Sequence, residues 1–118
     1  MPRTTLTKTT VLGPYPVLQP AADALDLTFA AADVVNKNQF APSSDDLIIA
    51  WNSGASPYTI TITSAMDDKN RTGDITAYSL AAGDIAAFRV KTSGWNQADG
   101  KVYLEASNAS VKFAVIPL

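Results

Sequence analysis

The second half of the chain alternates hydrophobic and polar residues in short runs. In residues 58–64, three threonines alternate with Tyr58, Ile60 and Ile62, so the apolar side chains would share one face of an extended chain. A period of two predicts a β-strand with one buried face. Further strands are predicted at 47–52, 75–80, 85–90, 102–107 and 111–116.

The residues between these strands favour turns, a polar excursion at Ser64–Asp74 and one longer loop. Residues 53–57 contain a glycine and a proline, and residues 81–84 contain Gly83, which suits a tight hairpin connection. A short turn is predicted at 108–109. The longest connection after residue 80, at 92–100, carries Trp95 among polar residues and glycines. The pattern therefore predicts short strands in succession, with a more open loop around Trp95.

The pattern is weaker between residues 21 and 46. The alanines and leucines of Ala21–Ala32 could form a helical turn, but Leu25, Leu27 and Phe29 alternate with polar or small residues, which favours a strand. Residues 36–38 predict the following loop, and residues 42–46 predict the next turn.

Residues 1–20 differ from the rest of the chain. A threonine-rich start leads into Gly-Pro-Tyr-Pro at 13–16, and proline fixes φ and lacks an N–H donor. These features predict an extended arm or an edge strand; a poorly ordered terminus is the alternative. The apolar side chains favour contact with this domain or a neighbour. The predicted partner-contact residues here are Val11, Leu12, Pro14, Tyr15, Pro16, Val17 and Leu18.

Together these elements predict an all-β protein with one domain. The 118 residues suit a single antiparallel β-sandwich of jelly-roll kind, with about eight short strands at 21–118 and an extended N-terminal arm at 1–20. An immunoglobulin-like sandwich is the alternative architecture. The sequence does not specify the order of the strands.

Composition narrows the classes of partner. Charged residues make up only 17% of the chain, compared with about a quarter in typical domains. Either a partner or further copies cover part of the surface, or the surface is rich in threonine, serine and asparagine. The net charge is −2 and the nine lysines and arginines are scattered, so we expect no nucleic-acid partner. We also expect no signal peptide and no membrane span, because no apolar run is long enough.

The chain has no histidine and no cysteine. Catalytic triads, zinc sites and haem sites normally need one of them, so we expect no enzyme activity, no cofactor and no metal ion. The dense oxygen groups of Asp67–Asp74 could hold Ca²⁺. Their spacing differs from an EF-hand loop, and Lys69 and Arg71 offset the charge, so a solvated turn is favoured. Glu105, the sole glutamate, is expected to face solvent.

Aromatic residues offer one further possibility. A sugar-stacking platform could use several of them, although aromatics on strands more often pack in the core. Trp95 stands apart because it lies in a polar loop, where it could close the end of the sandwich or contact a partner. The aromatics considered are Trp51, Trp95, Tyr58, Tyr78 and Tyr103.

Several segments between residues 47 and 118 carry a resemblance to a known group. They are Tyr-Thr-Ile-Thr-Ile-Thr-Ser at 58–64, Arg-Thr-Gly-Asp-Ile-Thr at 71–76, Leu-Ala-Ala-Gly-Asp at 80–84, Gly-Trp at 94–95, Gly-Lys-Val-Tyr-Leu at 100–104 and Val-Lys-Phe-Ala-Val-Ile at 111–116. In these segments the chain resembles small virion proteins of tailed phages and prophages, most closely capsid decoration (cement) proteins. The segments at 71–76 and 94–95 are the most distinctive.

The resemblance implies a structural role in the virion. A decoration protein binds the outer surface of an HK97-type shell, so the expected partner is the major capsid protein, with the protein itself as a dimer or trimer on the capsid. It would be made in the host bacterial cytoplasm and reside on the capsid surface. A neck or tail structural protein, and a carbohydrate or host-surface binding module that uses Trp95, are the alternatives.

Overall fold

The computed structural model describes residues 2–11, 26–66, 69 and 71–118. This part of the chain contains no helix and nine strands. The strands are β1 (Thr4–Thr5), β2 (Ala30–Ala31), β3 (Asn38–Phe40), β4 (Asp45–Asn52), β5 (Tyr58–Thr63), β6 (Ile75–Leu80), β7 (Ile85–Lys91), β8 (Val102–Ala106) and β9 (Val111–Pro117).

The strands form two sheets. One has five strands in the order β1-β3-β8-β5-β6, and the other has four in the order β2-β9-β4-β7. All pairings between named strands are antiparallel except that of β1 with β3. Alternate residues of the central strands are buried, because the two sheets share one apolar core. These observations confirm the predicted all-β sandwich.

The pairing is nested around the connection between β5 and β6. β5 pairs with β6, β4 with β7, β3 with β8 and β2 with β9. The chain therefore forms a two-stranded antiparallel ribbon that pairs with itself along its length. The pairings of β4 with β9 and of β5 with β8 then join turns of the rolled ribbon into the two sheets.

The core explains why the sequence selects these strands. Inward positions of neighbouring strands hold large side chains with almost no exposed surface, including Phe40, Ile48, Ile62 and Phe113. Burying such a side chain stabilises the fold by roughly 1.5–3 kcal/mol relative to leaving it in water. The apolar residues that recur at every second position in the sequence therefore form the inward face of the sandwich.

The N-terminal segment crosses from one sheet to the other. β1 pairs with β3 at one edge of the five-stranded sheet. Lys8 forms a parallel bridge with Val115 of β9, and the Thr9 amide donates to the Val115 carbonyl oxygen at 2.9 Å. Between these contacts, Leu6 is only 5% exposed. Residues 4–9 of the predicted arm are therefore extended and lie on this domain, whereas residues 12–20 lie outside the described residues.

An ion pair with a buried carboxylate holds the same segment. The Asp46 side chain is fully buried, and the Lys8 ammonium donates to its Oδ1 at 3.1 Å. The backbone amide and the hydroxyl of Ser43 donate to the same carboxylate at 2.8 and 2.7 Å. Because each oxygen has a partner, the charge can lie inside the sandwich.

The strand predictions from residue 47 onward are confirmed, with ends shifted by one or two residues. The earlier part of the chain needs three corrections. The loop predicted at 36–38 overlaps β3, and the turn predicted at 42–46 overlaps the start of β4, which begins at Asp45. The strand predicted within residues 21–32 is observed only at Ala30–Ala31, and residues 21–25 lie outside the described residues.

Each correction has a physical reason. β3 is too short to show alternation, and one of its two inward side chains is polar, the buried Asn38. Asp46 takes an inward position because the Lys8 ammonium compensates its charge. Phe29 lies outside β2 and packs edge-on against Trp51, with ring centroids 5.5 Å apart, so its apolar character reflects that contact.

Candidate functional site at one end of the sandwich

Two connections meet at the end of the sandwich where β5 and β7 finish. One is the excursion between β5 and β6, and the other is the loop between β7 and β8. The Ala65 amide donates to the Gly94 carbonyl at 2.8 Å, and the Gln97 side chain donates to the carbonyls of Thr63 and Ser64 at 3.0 and 3.1 Å. These bonds fix the two connections against each other.

Asp74 closes the excursion on itself. Its Oδ1 accepts from the Ser64 amide at 2.7 Å and from the Ser64 hydroxyl at 2.6 Å, and the Gly73 amide donates to that hydroxyl at 2.8 Å. The Ser64 hydroxyl and amide lower the pKa of Asp74, because hydrogen bonds to a carboxylate favour its charged form. Asp74 therefore positions the segment that carries Arg71 and Thr72.

The second connection holds Trp95. The amides of Trp95 and Asn96 donate to the Thr92 carbonyl at 3.3 and 3.1 Å, and Gly94 has a φ of 95°, which glycine adopts without strain. The Trp95 side chain is half-buried and packs against the hydrophobic core. It closes this end of the sandwich and also presents part of its surface to the neighbouring cavity.

A cavity of about 180 Å³ lies between the two connections. It is smaller than a typical pocket for a drug-sized ligand, which is about 300 Å³ or more. Its walls offer hydroxyls, backbone groups, a guanidinium and one aromatic surface, which could hold a small polar molecule. The lining residues are Ser64, Arg71, Thr72, Gly73, Ser93, Gly94 and Trp95.

Metal binding finds no support in the described part of the chain. No group of three or more carboxylates is placed to hold an ion among those residues. Asp67, Asp68 and Asn70, on which the calcium alternative depends, lie outside them. Two further carboxylates considered from the sequence have partners: Asp74 accepts from Ser64, and Glu105 forms an ion pair with Lys37.

The structure separates the aromatic residues that could have formed a sugar-stacking platform. Trp51 lies on the outer face of the four-stranded sheet, where the Lys112 ammonium is 5.4 Å from its ring centroid. Tyr103 lies on the opposite outer face, with the Arg3 guanidinium 4.0 Å from its ring centroid. Trp51 and Tyr103 therefore cannot belong to one sugar-stacking platform. Trp95 is the aromatic residue that lines the cavity.

The predicted partner-contact residues are described only in part. Val11 is 52% exposed and does not line the cavity with Trp95. Leu12, Pro14, Tyr15, Pro16, Val17 and Leu18 lie outside the described residues. Their proposed role in contacting a partner stays a prediction.

Two features of the described chain are not predicted by the sequence pattern. In the sequence Arg71 is only a charge in the acidic segment, whereas the structure places it with Trp95 at the cavity. The strand predicted at 85–90 does not specify which way Ile85 points, and the structure shows it 62% exposed on the outer side of β7. Its outward orientation follows from its position opposite Trp51 in the β4–β7 register, and the sequence alone does not give that register.

Comparison of the chain with protein-family models, with curated proteins and with solved structures finds no match. In the described residues, no helix is long and apolar enough to cross a membrane.

Proposed function

We propose that the protein is a structural component of a tailed-phage virion, most specifically a capsid decoration protein. It binds the outer surface of an HK97-type shell through the major capsid protein and stabilises the shell by protein–protein contacts. It is made in the host bacterial cytoplasm and self-associates on the capsid. Catalysis has no part in this proposal.

The observation that carries the proposal is the meeting of its two most distinctive sequence segments. The segments at 71–76 and 94–95 are not adjacent in the sequence, but residues 71–73 of the first and both residues of the second line the same cavity at one end of the sandwich. When separate segments of a resemblance form one structural unit, they support a shared role more strongly than segments scattered over the surface would.

The nested strand pairing supports the proposal at the level of the fold. The order β2-β9-β4-β7 opposite β3-β8-β5-β6 is that of a rolled antiparallel ribbon, and we propose that the sandwich is a jelly roll. Jelly rolls occur in viral capsid domains and in lectins. The fold therefore suits a virion role, and it also suits a module that binds carbohydrate or the host surface.

Shell binding tests the proposal directly. Purified protein is mixed with shells of the phage or prophage that encodes it and sedimented; saturable co-sedimentation is expected. Deletion of residues 1–20 would be a poor probe, because it removes Leu6 and Lys8 from the fold. The sharper variant replaces Tyr15, Val17 and Leu18 by serine, and Thr7→Ser serves as its control.

The triple variant is expected to bind shells at least tenfold more weakly, because each apolar contact removed weakens association. Equal binding by the triple variant and the control would reject the arm as the contact. Failure of the unaltered protein to bind shells, combined with binding to isolated necks or tails, would favour the neck or tail alternative.

The cavity beside Trp95 favours a second candidate, a module that binds carbohydrate or the host surface. Trp95 supplies a surface on which a sugar could stack, and Arg71 and Thr72 supply polar groups. A glycan panel tests this candidate with Arg71→Ala, since Trp95→Ala would also disturb the core. Binding that Arg71→Ala weakens several-fold would support the module, and an empty panel would reject it.

A further inference from the structure

The two sides of the sandwich differ in how their edges are finished. On one side, residues 4–9 cross between the sheets and bury Leu6. On the other side lie β6 and β7, the last strands of the two sheets. In the described part of the chain, β7 pairs only with β4 and β6 pairs only with β5. An edge strand presents unpaired main-chain groups on which another strand can add.

Of the two open edges, β7 is the regular one. β6 carries an irregularity, because its register against β5 shifts between Ile60 and Ile62, and Ala77 has a φ of 51°. Bulges of this kind disturb the outer edge of a strand and hinder pairing. β7 keeps an unbroken register with β4 from Ile85 to Lys91.

Hydrogen bonds at the ends of the β4–β7 ladder show which groups of β7 face outward. The Asn52 amide donates to the Asp84 carbonyl at 3.0 Å, and the Thr92 amide donates to the Ser44 carbonyl at 3.2 Å. Because bonded pairs alternate along an antiparallel ladder, the even-numbered residues of β7 face β4. The amides and carbonyls of Ile85, Ala87, Arg89 and Lys91 therefore point to the open edge.

Apolar side chains accompany this edge. Phe88 and Tyr78 lie on the inward faces of β7 and β6 and meet edge-on across the sheets, with centroids 5.5 Å apart. Tyr78 is nevertheless 47% exposed, and Ile85 is exposed on the outer face. An edge with both unpaired main-chain groups and exposed apolar side chains gains hydrogen bonds and buried area on pairing.

We infer that β7 is the dimer interface of this protein and pairs antiparallel with β7 of a second copy. The strand is self-complementary, since it starts beside Asp84 and ends with Lys91. Antiparallel pairing brings the acidic start of one strand to the basic end of the other. Asp45, which already bonds Arg89, offsets the charge of that residue in each copy.

Full overlap of the two strands sets the register. Phe88 then lies at the two-fold axis opposite Phe88 of the second copy, Ala87 lies opposite Arg89, and Ile85 lies opposite Lys91. All four outward-facing residues form bonded pairs, which gives about eight main-chain hydrogen bonds across the axis. The two four-stranded sheets become one continuous sheet, and the symmetry is that of a closed dimer.

This inference deepens the self-association in the proposed function, and it is tested in solution without shells. Sedimentation equilibrium of the full chain is expected to show a concentration-dependent dimer. A monomer at every loading concentration would overturn the inference. Shell binding is measured separately, so either proposal can fail while the other stands.

Two pairs of variants test the edge and the register. Ala87→Pro removes an outward amide without breaking the β4–β7 ladder, and Ala87→Ser keeps it. We expect the dimer dissociation constant to rise at least tenfold for Ala87→Pro and to stay near the unaltered value for Ala87→Ser. Equal dissociation constants for the two variants would exclude the β7 edge.

Ile85→Lys and Ile85→Glu alter the same exposed position with opposite charge. Lysine would lie opposite Lys91 of the second copy and repel it, whereas glutamate would attract it, and directly opposed charges on adjacent strands couple in this way. We expect Ile85→Lys to dimerise roughly tenfold more weakly than Ile85→Glu. Equal affinities, or the reverse order, would overturn the proposed register. Because Ile85 is exposed, neither substitution removes a buried side chain from the fold.

Discussion

At the scale of single residues, buried polar side chains fix connections that the apolar pattern leaves open. Asn52 is fully buried, and its Nδ2 donates to the carbonyls of Ser56 and Leu80 at 2.7 and 2.9 Å. Its Oδ1 accepts from the Gly54 amide at 3.0 Å. One side chain thus ties the turn after β4 to the end of β6.

Asn52→Ala is expected to lower the free energy of unfolding by about 3 kcal/mol, because it leaves buried main-chain groups without partners. Urea unfolding followed by tryptophan fluorescence measures the loss. Thr10→Ala, at an exposed position, should stay within about 0.5 kcal/mol of the unaltered protein. A loss below 1 kcal/mol for Asn52→Ala would show that water replaces these bonds.

The hydrogen bonds of Asp74 predict how the stability of the fold changes in acid. The Ser64 hydroxyl and amide hold the pKa of Asp74 below its ordinary value of 3.8 in the folded protein. A carboxyl group with a lowered folded pKa stabilises the fold above its unfolded pKa, and that contribution disappears as the pH falls through the folded pKa. Asp74→Asn should therefore unfold more easily at pH 6, with the difference from the unaltered protein shrinking below about pH 4.

Urea titrations at a series of pH values would follow this difference. Asp26→Asn is a suitable control, because Asp26 lies in an exposed stretch outside the strands. A difference between Asp74→Asn and the unaltered protein that stayed constant from pH 6 to pH 2 would contradict the role given to the Asp74 charge.

At the scale of elements, whether a strand can be predicted from the sequence depends on its length and on which of its side chains face inward. β5 and β8 place apolar residues at every second position, so their alternation predicts them directly. β3 has three residues and a buried asparagine, and β1 has two exposed threonines, so neither gives a periodic signal. The strand order depends on long-range pairing, which local patterns do not contain.

The site followed the same rule. Trp95 could be singled out because a tryptophan in a polar loop is unusual. Its neighbourhood with Arg71 depends on bonds such as Ala65 to Gly94 and Gln97 to Thr63, which join distant segments. Residue type therefore predicted one member of the site, and the fold supplied the other.

The N-terminal crossing segment gives a prediction for one element. Leu6→Ala should lower the free energy of unfolding by about 2–4 kcal/mol, because it leaves a cavity between the sheets. Thr7→Ala, at the neighbouring exposed position, should change it by less than about 0.5 kcal/mol. Similar values for the two variants in urea unfolding would mean that residues 4–9 do not hold the sandwich together in solution.

At the scale of the whole molecule, one side of the sandwich is closed by its own N-terminal segment and the other ends in open strand edges. This asymmetry suits a protein that assembles, because the closed side limits uncontrolled pairing while the open side accepts one partner. The low charged fraction of 17% agrees with a surface that is partly covered in use.

We propose that this sandwich decorates the outside of a phage shell. An electron cryo-microscopy reconstruction of the virion whose genome carries the gene tests it most directly. We expect density of the size and shape of this sandwich at repeated positions on the outer capsid surface, in contact with the major capsid protein. A shell without such density, or the protein confined to another part of the particle, would contradict it.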